Sequence, residues 1–190
     1  MAKEKEEKSA LIQGNILLAE PFMMDSNFVQ ATILLTDYHH SGSVGFILNK
    51  PINMMVNDLL ANFPEIASEV YFGGPVATDT IHYLHNVGEL LEGSKLVSHG
   101  VYWGGDFDKL KFLIKNKMIL PNQIRFYVGY SGWSPGQLEE ELKTGSWVIS
   151  KGDPNYVFKS SSHGLWKQVM MDKGEIYAIL SEMPETTNYN

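Results

Sequence analysis

Along this chain, apolar and β-branched residues gather into short clusters separated by turn residues, and the clusters predict strands. They fall near Asn15 to Ala19, Ala31 to Thr36, Ser43 to Leu48, Glu69 to Phe72, Ile81 to His85, Lys95 to Val97, Ile124 to Gly129 and Ser146 to Ile149. HHSGS at 39–43 joins two of the most apolar clusters over a short distance, which favours an antiparallel hairpin over a parallel crossover. The abrupt GGP at 73–75 ends another strand, because Pro75 has no N–H for a central ladder.

Other segments switch to the helical period. Asp106 is placed to cap a helix whose stripe is Phe107, Leu110, Leu113 and Ile114, ending near Asn116. A shorter helix is predicted over Val56 to Asn62, and Asp153 followed by Pro154 repeats the cap-plus-proline signature. SHGLWKQVM at 162–170 starts another, while GEIYAIL at 174–180 fits both a strand and a helix, with helix preferred. In GYSGWSPGQLEEEL at 129–142, Ser134 reads as N-cap, Pro135 as N1 and Gln137 as N3, its side chain reaching back to the N-cap N–H. Without regular βαβ alternation, seven or eight strands and four or five helices imply an α+β layout, a mostly antiparallel or mixed sheet covered by helices.

Length and composition then bound the organisation. At 190 residues, with 44% apolar residues, the chain can bury one substantial core, whereas two domains would each be marginal. We expect a single domain over 10–183, a frayed tail over 1–9 and a polar tail over 184–190. Zero cysteines exclude disulfides, thiolate-bound metal and a thiol nucleophile. The charge-alternating start and the shortness of the apolar runs predict neither signal peptide nor membrane span, so the cytoplasm is the expected location. Net charge is −7, which disfavours a nucleic-acid partner; Lys109, Lys111, Lys115 and Lys117 read as a solvated helix face.

Candidate chemistry is sparse. His39 and His40 are adjacent in a turn but lack a metal-binding spacing, and no metal or cofactor is expected. His82 and His85 point to opposite faces if IHYLH is a strand; His85 remains a candidate base or ligand. No GxGxxG, GxxxxGK[ST] or GxSxG occurs, although Gly73 and Gly74 could form an anion nest after their strand. If Asp25 and Asn49 approach Gly73-Gly74 and the Trp133 turn, a small polar cleft results. The alternative is that Asn49 bonds its own turn, Asp25 caps Asn27 onward and Gln137 completes a capping box.

Four segments together resemble the AlgH or UPF0301 (YqgE-type) family: GNILLAEPFMMDSNFVQATILLTD at 14–37, GSVGFILNKP at 42–51, YFGGPV at 71–76 and GYSGWSPGQLEEELKTGSW at 129–147. The resemblance runs from about Gly14 to Gly174. It implies an α+β fold in which a curved, mostly antiparallel sheet closes into a partial barrel flanked by helices. It makes Pro21, Asn49, Gly73, Gly74, Pro75, Gly129, Trp133, Gly136, Gln137 and Trp147 family signature positions without assigned roles. Where the family pattern places an acidic residue, His and Asn before the Gly-rich turn, this chain has Asp37, Tyr38 and His39. The family has no established activity and no DNA-binding module. The leading expectation is a non-enzymatic binding or regulatory domain contacting a protein or small molecule. The alternatives are an enzyme of unrecognised class, such as a hydrolase, using Asp25, Asn49 and His85 near Gly73-Gly74, and a regulator binding DNA directly.

Overall fold

A computed structural model describes residues 10–182; the two predicted tails, 1–9 and 184–190, lie outside the described residues. Ten strands and six α-helices are present among them: β1 (Ile16–Ala19), β2 (Thr32–His39), β3 (Gly42–Ile47), β4 (Pro51–Met55), α1 (Val56–Leu59), β5 (Glu69–Phe72), β6 (Val76–His85), β7 (Lys95–Ser98), β8 (Val101–Trp103), α2 (Phe107–Lys115), β9 (Ile124–Trp133), α3 (Gln137–Lys143), β10 (Trp147–Ser150), α4 (Pro154–Phe158), α5 (Leu165–Lys173) and α6 (Glu175–Ser181). No helix of the described residues is long and apolar enough to cross a membrane.

The strands form one sheet in the order β10-β1-β2-β3-β9-β6-β8-β7, with β5 beside β9 and β4 outside β5. All pairs are antiparallel except β5 with β9. The hairpin expected from HHSGS is present as β2 and β3. The α+β class holds, but the expected closure into a partial barrel does not: the sheet is open, and its end strands β10 and β7 do not pair with each other. The cause lies at β9. One of its edges is shared end to end, by β5 over Phe126–Val128 and by β3 over Ser131–Trp133, while β6 takes the other. A sheet that forks there has no single continuous edge to bring round to its far side, as barrel closure requires.

Side-chain alternation sorts the core. Leu18, Leu34, Phe46, Tyr71, Leu84 and Tyr127 face a cluster covered by α4 and α5. On the opposite face the apolar residues divide into a cluster under α1 and α2, containing Phe126, Leu110 and Leu113, and another around Trp133, Trp147 and Leu138 of α3. Each helix therefore exists where its apolar side meets one of these patches, as short helices need tertiary packing to persist.

Local signals hold at most ends. Asp106 Oδ1 accepts from Lys109 N at 2.6 Å and Asp153 Oδ1 from Asn155 N at 2.8 Å, as the two cap signatures predict. Gln137 Oε1 accepts from Ser134 N at 2.9 Å, also as predicted, yet α3 begins only at Gln137. Gly136, at φ 76°, adopts the left-handed conformation that a helix interior excludes, so Ser134–Gly136 is a turn leading into the helix. Two strands escaped the sequence reading. β4, PINMM, is mostly exposed and begins with proline, and β8 is three residues long.

Candidate functional site

The signature residues mostly hold the backbone together. Pro21 occupies the second position of a turn closed by Met23 N donating to Glu20 O at 3.1 Å, where its fixed φ is favourable. Asp25 Oδ1 accepts from Asn27 N at 2.9 Å. Asn49 bridges two strands' connections: its Oδ1 accepts from Thr32 N at 2.9 Å and its Nδ2 donates to Gln30 O at 2.8 Å. The adjoining Lys50 reaches the same loop, donating to Ser26 O and Asn27 O, and burial lowers its pKa against the opposing pull of Asp25.

Gly73-Gly74-Pro75 passes close against β9. Gly73 O accepts from Ile47 N at 3.0 Å and from Ser131 Oγ at 3.1 Å, and Gly73 N donates to Val128 O. A Cβ at Gly73 would collide with the Gly129 carbonyl oxygen, so glycine is required by close approach of two backbones. Around the next turn, the Glu141 carboxylate accepts from the Trp133 indole at 2.9 Å, the Trp147 indole at 2.7 Å and Gln137 Nε2 at 2.8 Å. Phe28 packs edge-on against Trp147, linking the Asp25 loop to this cluster.

The structure thus links the Asp25 loop to Asn49 through Lys50 and to Trp133 through Phe28 and Trp147, while Gly73 is held by Ile47, Val128 and Ser131 and His85 lies elsewhere. His85 pairs with Ile124, whereas the segment leaving Gly74 pairs with Tyr130, six residues further along β9. At about 3.3 Å per residue the separation is about 20 Å, far beyond proton-transfer reach. His85 is fully buried, its Nδ1 accepting from Val87 N at 3.3 Å while Nε2 lies 2.8 Å from Gly104 O. The accepted N–H at Nδ1 assigns the proton to Nε2, so the neutral ring donates to Gly104 O, and burial lowers its pKa.

A different group of side chains is gathered on the α4–α5 face of the sheet, where two irregularities redirect them. The β2–β3 register shifts between Leu35 and Asp37, setting Asp37 opposite Val44. Gly129 has φ 64°, which breaks alternation in β9 so that Tyr130 follows Tyr127 to the same face. The result is a half-buried cradle floored by Phe46. His82 lies 5.3 Å from Phe46, 6.2 Å from Trp103 and 5.8 Å from Tyr130, ring centre to ring centre. Trp103 packs edge-on against Phe46 at 5.5 Å.

Polar groups rim the cradle. Lys95 Nζ sits 5.8 Å above Trp103 and 2.7 Å from Asp37 Oδ1, which His39 Nε2 also approaches at 2.7 Å. Such half-exposed ion pairs contribute about 0–1 kcal/mol, so their effect is to aim Lys95 more than to stabilise the fold. Thr80 Oγ1 donates to Ala77 O at 2.7 Å and lies 3.0 Å from His82 Nε2. With its one proton committed, Thr80 must accept from His82 Nε2–H, leaving Nδ1 as a lone-pair acceptor with no partner among the described residues. Burial lowers the His82 pKa, so the ring is neutral at pH 7.

Lys95, Thr80 and Tyr130 gave no sequence signal, and Trp103 reads as ordinary packing until the two bulges are known. Alternation in β6 could have identified His82 as facing the aromatic side, since His82 is paired with Tyr127. Among the described residues, no group of three or more His, Asp or Glu side chains is disposed to hold a metal ion.

Comparison with known proteins finds a match to the AlgH-like family model over residues 16–178. A UPF0301 protein of Chlorobium phaeobacteroides is 38% identical over 180 residues, spanning 95% of this chain and 96% of that one. A UPF0301 protein of Bacteroides thetaiotaomicron is likewise 38% identical, spanning 94% of this chain and 91% of that one. Among solved structures, the AlgH protein of Pseudomonas aeruginosa superposes with a TM-score of 0.74 at 25% identity, covering 96% of this chain and all of that one. Protein DIP2367 of Corynebacterium diphtheriae shares the fold, with a TM-score of 0.79 at 18% identity over 93% of this chain and 95% of its own.

Proposed function

From the premise that this chain belongs to the AlgH-like (UPF0301) family, we propose that it is a binding or regulatory domain acting in the cytoplasm through contact with a small molecule or protein segment. One observation carries the reading: the half-open cradle of Phe46, His82, Trp103 and Tyr130 with Lys95 held at its rim. Rings of this kind present large, rigid contact area at low entropic cost, and aromatic residues beside a positioned cation are what recognition sites concentrate. The cradle offers a planar group stacking against Trp103 and Tyr130, a hydrogen-bond acceptor at His82 Nδ1 and a cation at Lys95 Nζ. The ligand features that fit are therefore a flat or aromatic body, one donor and one negative charge.

Two-dimensional NMR of the isotopically labelled full chain, titrated with fractions of native cell extract, tests this. The first resonances to move should be those of Thr80, His82, the Trp103 indole and Tyr130, and Trp103→Ala should abolish the shifts while leaving the remaining spectrum folded. Shifts confined to other surfaces, or none from any fraction, would overturn the reading.

A further inference from the structure

A cleft of about 240 Å³ opens at the far end of the same sheet face, lined among others by Met55, Ser68, Glu69, Tyr71, Ile124 and Arg125. Arg125 is the only arginine in the chain. Its guanidinium stacks over Tyr71 at 4.5 Å, Nη1 donates to Leu48 O at a long 3.3 Å and the buried Tyr127 hydroxyl is a further neighbour, which leaves part of its five N–H donors for a ligand. The parallel register pairs Val70 with Phe126 and Tyr71 with Tyr127; carried back one step, it sets Glu69 beside Arg125 on the face that Tyr71 occupies. No ion pair joins the two among the described residues. Ser68, nearly buried at 6% exposure, has for its hydroxyl only a 3.5 Å contact with Glu69 O.

An Arg and a Glu that stand side by side without meeting, across a cleft, form a pair of receptors for opposite charges on one small molecule. We infer that this cleft binds a zwitterion of the α-amino-acid type. The ligand's carboxylate takes the planar fork of Arg125, with Ser68 Oγ as a further donor, because guanidinium geometry matches a carboxylate two bonds at a time. Its ammonium faces Glu69. Met55, Pro121 and Ile124 complete the lining. The volume sits just below the range of drug-sized pockets, as expected for a ligand of few atoms. The cradle shares no lining residue with this cleft, although its Trp103 lies in register with Arg125 across Leu84, two strand spacings or about 10 Å away. The inference therefore goes beyond the function proposed above, and either can fail without the other.

The test is NMR titration of the full chain with L-leucine, with 4-methylpentanoate, which lacks the amine, and with isoamylamine, which lacks the carboxylate. L-leucine at millimolar concentration should shift the resonances of Ser68, Glu69, Tyr71 and Arg125. Each single-charge analogue should bind about tenfold or more weakly, the factor that loss of one charged contact commonly brings. Glu69→Gln, at an exposed side chain in no ion pair among the described residues, should weaken leucine about as much while leaving 4-methylpentanoate unchanged. Absence of leucine-induced shifts at these residues overturns the site; equal binding of leucine and 4-methylpentanoate, or leucine binding indifferent to Glu69→Gln, overturns its zwitterionic character.

Discussion

Glu141 shows how one half-buried side chain can organise several aromatic ones. Two indole N–H groups and the Gln137 amide converge on its carboxylate, and both indoles belong to the core cluster around Leu138. Glu141→Leu should therefore cost about 2 to 4 kcal/mol in urea unfolding, because it leaves buried donors without an acceptor. Glu141→Gln, which keeps an acceptor oxygen, should lose less than half of that. Equal losses for the two would show that packing, not hydrogen bonding, is what Glu141 supplies. Trp133 and Gln137 stand out in the sequence, but their shared partner does not, since a Glu in LEEELK reads as any solvent-facing helix residue. His85 carries the opposite lesson. Its residue type suggests chemistry, while Val87 N and Gly104 O, with the Ser94 hydroxyl 3.1 Å from Nε2, satisfy the ring within the core, as any buried polar group must be.

At the scale of the element, the decisive feature is β9, and Gly129 is its pivot. The positive φ there moves Tyr130 onto the face of Tyr127 and lets Gly73-Gly74 cross beneath. An alanine at 129 would meet both the left-handed strain and the Gly74 carbonyl oxygen, whereas at Gly136, φ 76°, no atom lies within 4 Å of the added Cβ. Gly136→Ala should therefore cost about 1 to 2 kcal/mol, the strain alone. Gly129→Ala should cost at least about twice as much, and should also displace the Tyr130 and His82 resonances. Equal melting shifts for the two variants would remove the pivot assigned to Gly129. Most elements were legible because their caps and periods are local: Asp106, Asp153 and the Glu69–Phe72 strand lie where the text of the chain puts them. The start of α3 was misplaced by two residues. A capping hydrogen bond can form across a turn as well as across a first helical turn, and only the conformation of Gly136 separates the two.

For the whole molecule, pH acts through the two histidines of β6. Burial lowers the pKa of both His82 and His85 in the folded state, below the ordinary value of about 6.5. The unfolded chain then binds more protons than the folded one as pH falls below that value. Their contribution to stability is fully present above about pH 6.5 and declines as pH falls toward the folded-state values. Imidazole proton resonances followed against pH should show both rings titrating below the ordinary value, with denaturant midpoints dropping over the same interval. A ring titrating at or above about 6.5 would contradict the burial argument. His82, facing the cradle, should respond to a bound ligand, whereas His85 should not.

The sequence by itself determined the class of fold, the antiparallel hairpin, most element boundaries and the family, because these depend on periods, caps and glycine-proline turns written within a few residues of one another. Only the tertiary structure decided that the sheet forks at β9 and stays open, and which polar residues meet. The register shift before Asp37 and the left-handed Gly129 turn Asp37 and Tyr130 to one face, and strand pairing through β8 and β7 brings Trp103 and Lys95 to them, so the four share a site that no spacing along the chain announces.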